Sequence, residues 1–270
     1  MLSMRFSIKK LFIGLFTIGI ITNTLKAQIS PPGLGDTNAA FWTAFGIKYQ
    51  LDPTGKTQAL SYIATGRKSS PANNNPLSQQ AIFVLNHEVY HSFTPHHQYS
   101  YAISYRRQPK YESNSPYKKE GVEQEFRVYG RYCYTFNLGK RWKLKNTARQ
   151  EFRKFFSPDF RNTEEDFQLR TRFKSQLIYN ISAKNNQKLT LSTEALFSIS
   201  HLNESGSHWN SFGYREMRIA TYYIFTIPHS PFTVDVGYMN DLIRDSKSIH
   251  QGGVHYLAAD IIWNIPDKKN

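Results

Sequence analysis

Three histidines and a glutamate have the sharpest chemical spacing in the chain. His87-Glu88-Val89-Tyr90-His91 fits the pattern H-E-x-x-H, and His97 stands six residues further on, where a third metal ligand would fall. On a helix, His87 and His91 share a face and can hold one zinc ion, with Glu88 as the general base that activates a water for attack on a peptide carbonyl. On a strand the same two histidines lie about 13 Å apart at roughly 3.3 Å per residue, too far to chelate one ion. A secreted zinc metallopeptidase therefore stands or falls on whether residues 81–93 coil. The apolar, non-alternating run Ala81–Leu85 favours a helix, whereas Thr94 in place of a glycine and Pro95 just beyond the motif favour a strand.

A second constellation consists of charges at every other position in otherwise apolar segments. It comprises Glu88, Glu125, Arg127, Arg131, Arg149, Glu151, Arg153, Arg170, Arg172, Lys174, Glu194, Glu216, Arg218 and Asp235. If these groups share one enclosed space, they can pair with one another and hold a narrow barrel shut, because buried charges need partners. Bases outnumber acids in the set. An anionic or phosphate-bearing ligand could thus be bound there by the arginine surplus through bidentate donors. A third use of the same carboxylates would be a lumen enzyme acting on envelope lipid or polysaccharide. The chain has no His-x-Ser pair, Asp-x-His, Walker A loop, dinucleotide-binding glycine motif or G-x-S-x-G. No cofactor is expected.

The elements that must position these residues are strands. From Val122 to Phe136, the residues Phe126, Val128, Gly130, Tyr132, Tyr134 and Phe136 alternate with Glu125, Arg127, Tyr129, Arg131 and Cys133. A period of two separates charge from aromatic cleanly, which a helix would not. Similar runs begin at Phe41 and recur through Leu60–Arg67, Tyr99–Arg106, Trp142–Phe155, Phe167–Tyr179, Leu189–Ile199, Glu216–Phe225, Phe232–Tyr238 and Leu257–Trp263, although Asn146 and Gln150 interrupt the outer face of Trp142–Phe155. Connections alternate short and long. Asp52–Lys56, Thr94–His97, Asn137–Arg141, Ala183–Gln187 and Pro228–Pro231 are tight, and the stretches between them, such as Ser69–Ser78 and Pro109–Gly121, are longer and polar.

Strands with one apolar and one charged face fit either a soluble two-sheet sandwich or a transmembrane barrel with lipid outside and a polar lumen within. The short-long rhythm, runs of about 12 to 16 residues and tyrosine and phenylalanine at the strand ends favour the barrel. The expected fold is all-β: a closed antiparallel transmembrane β-barrel over residues 41–270. Counting the ambiguous segment 81–93, about eleven runs are visible where bacterial barrels have an even number, so the expectation is about 12 strands, with 10 as the alternative.

Arg5, Lys9 and Lys10 precede the short apolar run Leu11–Ile21, and Ala27 offers a cleavage site, so residues 1–27 read as a signal peptide. Residues 28–40, with two prolines and two glycines between Ser30 and Asp36, read as an irregular lead or lumen plug. Cleavage lowers the formal charge from +14 to +10. In an exported protein this basic balance points to lipid phosphates, lipopolysaccharide or polysaccharide, and not to nucleic acid. Cys133 is the only cysteine, so burial and backbone pairing must hold the fold without an intrachain disulfide.

The leader, the opening strand FWTAFGIKYQL, the charged strands RQEFRKFF and FQLRTRFK, and the closing HYLAADIIW together resemble an uncharacterised family of Bacteroidota outer-membrane barrel proteins, known only as a domain of unknown function. The resemblance spans nearly all of the mature chain. It implies a barrel in the outer membrane of a Gram-negative cell, inserted by the barrel-assembly machinery, and carries over no catalytic residue. The expected function is a structural, binding or narrow-pore role with a charged lumen.

Overall fold

The computed structural model describes residues 29, 31–34, 37–112, 114–203, 206–243 and 252–266. The expected signal peptide, residues 1–27, lies outside these, as does the stretch 244–251 of the polar loop before Gly253. Every regular element among the described residues is a strand: β1 (Ala39–Gln50), β2 (Thr57–Lys68), β3 (Gln79–Ser92), β4 (His97–Tyr111), β5 (Lys119–Asn137), β6 (Trp142–Phe156), β7 (Asn162–Ser182), β8 (Gln187–Leu202), β9 (His208–Trp209), β10 (Gly213–Thr226), β11 (Phe232–Ile243) and β12 (Gly252–Asn264). Eleven long strands pair in chain order and close on themselves, while the two-residue β9 only folds back on the end of β8.

Closure corrects the fully antiparallel expectation. Each neighbouring pair is antiparallel except the seam, where β1 runs parallel to β12 from Ala39↔His255 to Lys48↔Asn264. The cause is parity, because in an up-and-down barrel with an odd number of staves the first and last must point the same way. The count of about twelve is met by eleven staves plus β9.

Several boundaries move outward. Pro109 pairs with Val122, which shortens the loop expected between Pro109 and Gly121; β7 starts at Asn162; and β6 is continuous through Asn146 and Gln150. Those two amides stay in the sheet because cross-strand partners satisfy them: Ser175 donates to Asn146 at 2.8 Å and Thr171 to Gln150 at 2.7 Å. In the first tight turn, Asp52 accepts hydrogen bonds from Thr54 and Thr57, which hold its carboxyl well below the usual carboxylate range.

Side chains alternate as the sequence pattern requires, with the charged face inward. Phe126 is 42% exposed, Val128 56% and Tyr101 58%, whereas Glu125, Arg127 and Tyr129 between and beside them are buried. Tyrosines, phenylalanines and tryptophans gather near the strand ends, among them Tyr99, Tyr132, Tyr134, Trp142 and Tyr179.

The interior is not polar throughout. Its wall from β10 through β12 to β3 carries an apolar cluster that includes Trp42, Leu60, Ile82, Val84, Tyr222, Met239, Tyr256 and Ile262. Small inward residues, Ala40, Ala44, Gly46, Ala64 and Gly66, leave room in front of β1 and β2, and the lead fills it. Ile29 and Leu34 are fully buried in that cluster. Leu34 N–H donates to Tyr256 Oη at 2.9 Å, and Arg218 donates to the carbonyl of Pro31 at 3.3 Å. Gly33 lies so close to the wall that a Cβ would meet the side-chain tips of Arg218, Glu216 and Asp241 at 2.8, 3.0 and 3.2 Å.

Two contacts give the direction of the lead. Leu34 touches the Gly66 position, level with Trp42, and Ile29 touches the Gly46 position, four residues further along β1. Going back from Asn38 toward Ile29, the chain therefore descends inside the barrel from the long-loop rim toward the short-turn end.

Candidate functional site

The H-E-x-x-H segment is a strand. Residues 79–92 form β3, hydrogen-bonded to β2 on one side and β4 on the other. His87 and His91 lie on its outer face, about 13 Å apart at strand spacing, while Glu88 points inward. The zinc metallopeptidase is overturned by this geometry: β pairing with both neighbours takes up the backbone that a helix would need. His97, on β4, bonds to Tyr132 at 2.5 Å. Among the described residues no cluster of three or more His, Cys, Asp or Glu could hold a metal ion.

The outward histidines share one arrangement. His87 meets Ser61 at 2.8 Å, His91 meets Thr57 at 2.9 Å and His255 meets Tyr238 at 2.6 Å, each a hydroxyl on the neighbouring strand, just as His97 meets Tyr132. Ser61 and His87 have the contact of a nucleophile and its base, and they line an outer groove with Ile63, Leu85 and Ile103. Three sibling pairs give the simpler account: a ring nitrogen on an apolar face takes the nearest cross-strand hydroxyl.

Inside, the charges predicted to share one space, Asp235 apart, lie on the wall formed by β3 to β8 and β10. Glu151, with no exposed surface, is the hub. Arg127, Arg149 and Arg172 reach it at 2.8, 2.7 and 3.0 Å. Glu125 holds Arg127 at 2.6 Å and Arg153 at 2.8 Å, and Glu194 holds Arg172 at 2.6 Å. Glu216 holds Arg218 at 2.5 Å, with Arg170 at 3.7 Å. Glu88 accepts from Ser100 at 2.6 Å and Tyr129 at 2.8 Å and pairs with Arg131 at 2.9 Å. The Arg149 guanidinium also lies 3.5 Å from the Tyr129 ring centroid.

This wiring follows from register. Arg131, Arg149 and Arg172 stand directly opposite one another on β5, β6 and β7, a row of like charges that would repel unless acids one step along the strands intervened. Each acid of the network already serves at least one arginine. Asp235 is the exception in position. It lies in the apolar half, across from Asp260 on β12, away from the arginine wall.

Several inward groups were missing from the predicted set, Asp260 and Lys145 as well as the two that the strand pattern reaches most directly. Arg106 ends the alternation Ser100, Ala102, Ser104, Arg106 on β4, and Asp241 continues Asp235, Gly237, Met239 on β11 and lies 3.4 Å from Arg218. Extending the period of two by a residue pair would have found both.

No curated protein matches the chain. Residues 39–251 match the family model described as a protein of unknown function (DUF2490), from the first residue of β1 to the residue before β12. With nearly all of the barrel inside that match, the chain belongs to this family of proteins of unknown function.

Proposed function

We propose that this protein is an outer-membrane β-barrel of a Gram-negative, Bacteroidota-type envelope. On this reading its lumen is closed by its own lead and cross-braced by ion pairs, so that it works as a binding or structural protein and not as an open pore. One observation carries the reading: the outer surface is apolar from strand to strand and the charge is inside. Val128, Ile103, Leu191, Val236 and Leu257 are exposed at the middle of their strands, and Phe152 and Phe173 extend the band. In water a band of this extent would be an aggregation surface, and in a bilayer it is the required one.

Odd parity fits the same reading. If the short turns face the periplasm, β12 ends there while β1 starts at the outer rim. A chain exported from the inside must then bring its N-terminus back, and the lead runs the required way through the lumen. Cleavage near Ala27, insertion by the barrel-assembly machinery and contact with outer-membrane lipid and lipopolysaccharide complete the proposal.

The decisive experiment compares Val128→Arg with Leu138→Arg in lipid vesicles, followed by unfolding in urea. The membrane reading expects the mid-strand change to cost about 2–4 kcal/mol and the turn change about 0–1 kcal/mol. Equal, near-zero effects together with a protein that stays monomeric without detergent would overturn it.

A further inference from the structure

Below the lead, toward the short-turn end, the lumen holds a polar cavity of about 60 Å³. At roughly 10–15 Å³ for each water on that measure, it has space for several waters or one small oxyanion, and not for a sugar or an acyl chain. Ile29 and Pro32 cover its inner end. Arg106, Arg131, Arg149, Arg172, Lys145 and Lys174 line its walls, and only two carboxylates, Glu88 and Glu194, line it with them.

Both lining acids are engaged, Glu88 by Arg131 at 2.9 Å and Glu194 by Arg172 at 2.6 Å. Glu151 alongside compensates Arg149 and is shared with Arg127 and Arg172. The cavity therefore keeps a positive surplus. Arg106 is one of these lining cations. It is 8% exposed and makes no ion pair within 4 Å among the described residues, Glu125 opposite it on β5 being held by Arg127 and Arg153, and its buried Nε has no hydrogen-bond acceptor. A guanidinium withdrawn from water without an anion is costly, and its planar donors suit a carboxylate or phosphate. Arg131, Arg149 and Arg172 line the same cavity, held in place by Glu88, Glu151 and Glu194.

We infer that this cavity is a binding site for one phosphate-sized oxyanion, received from the short-turn end, with Arg106 as its innermost ligand and Lys145 and Lys174 nearer the mouth. The anion would arrive either as free phosphate or as the phosphate of a glycerophosphate headgroup. The inference concerns the lumen alone and is independent of the membrane reading, since a barrel folded in detergent reports binding whether or not it conducts.

The test is titration calorimetry of the full-length protein in detergent with inorganic phosphate and, separately, with glycerol 3-phosphate. Gel migration before and after heating serves as the folding control. Saturable binding of either probe is expected, weakened at least tenfold in Arg106→Gln. Binding of inorganic phosphate identifies a free anion as the source, and binding of glycerol 3-phosphate alone identifies a headgroup; both support the site. Should Arg106→Gln fail to fold, Lys145→Gln combined with Lys174→Gln decides, with weakening of at least threefold expected. No binding of either probe, or binding unchanged in the folded variants, overturns the inference.

Discussion

Arg149 on β6 stands directly opposite Arg172 on β7, and one oxygen of Glu151 lies 2.7 Å from the first and 3.0 Å from the second. Two guanidinium groups at neighbouring positions of a sheet repel each other, and here one buried carboxylate holds them together. The other oxygen of Glu151 takes Arg127 at 2.8 Å from the far side. The wall is thus braced across β5, β6 and β7 by a single side chain.

Glu151→Gln removes that charge and leaves three buried arginines short of their shared counter-ion. We expect a loss of about 3–5 kcal/mol in urea unfolding from detergent or vesicles. Lys110 and Glu123 pair at 2.8 Å with the lysine 57% exposed, so Lys110→Ala is expected to change stability by about 0–1 kcal/mol. Similar effects at the two sites would show that the interior pairs carry no special weight.

Glu88 belongs to the same network and not to a metal site. Glu88→Gln weakens its contact with Arg131, and the expected outcome is lower stability, by about 1–3 kcal/mol, with no change in metal content. Elemental analysis of the purified protein checks the second half. One zinc per chain, lost with His87→Ala, would contradict the strand geometry.

On the proposed reading the lead closes the lumen at Gly33, where an added Cβ would meet Arg218, Glu216 and Asp241. Deleting residues 28–36, or introducing Gly33→Leu, should displace it. In planar bilayers the parent protein is expected to be nearly silent, and both variants are expected to show added conductance steps. Silence in the variants would mean that the ion-pair wall closes the lumen by itself.

Gly237 tests the apolar half. A Cβ there would meet the Tyr222 ring at 2.3 Å and the Thr221 carbonyl oxygen at 2.5 Å. Gly237→Ala is therefore expected to destabilise the barrel by about 1–3 kcal/mol, an overpacking cost. Because one clash is with backbone, adding Tyr222→Ala should not restore stability, as a thermal melt of the double variant would report.

Much of this was legible in the chain before any coordinates. Phe126, Val128 and Tyr132 against Glu125, Arg127 and Arg131 gave both the strand and the faces, since a side chain's face depends only on its neighbours two residues away. The same rule placed Glu88 inward and the flanking histidines outward, once residues 79–92 were known to be a strand. The helix alternative stayed open because Ala81–Leu85 does not alternate. Its apolar inward members, Ile82 and Val84, face the apolar half of the lumen, and the sequence does not announce that such a half exists.

What the sequence determined alone, then, is everything that repeats locally: strand character, the short-long order of the connections, and which atoms of each strand meet apolar surroundings. Tertiary structure decided what depends on closure. The division of about twelve strands into eleven staves and the short β9, the parallel seam of β1 and β12, the lead lying beside Trp42 and Tyr256, and the sharing of Glu151 among three arginines are all set by contacts between residues far apart in the chain. The physical reason is that alternation fixes a side chain's direction but not its company. An inward residue has the same period whether it finds a free carboxylate, an alanine or, like Arg106, a carboxylate already held by two other arginines.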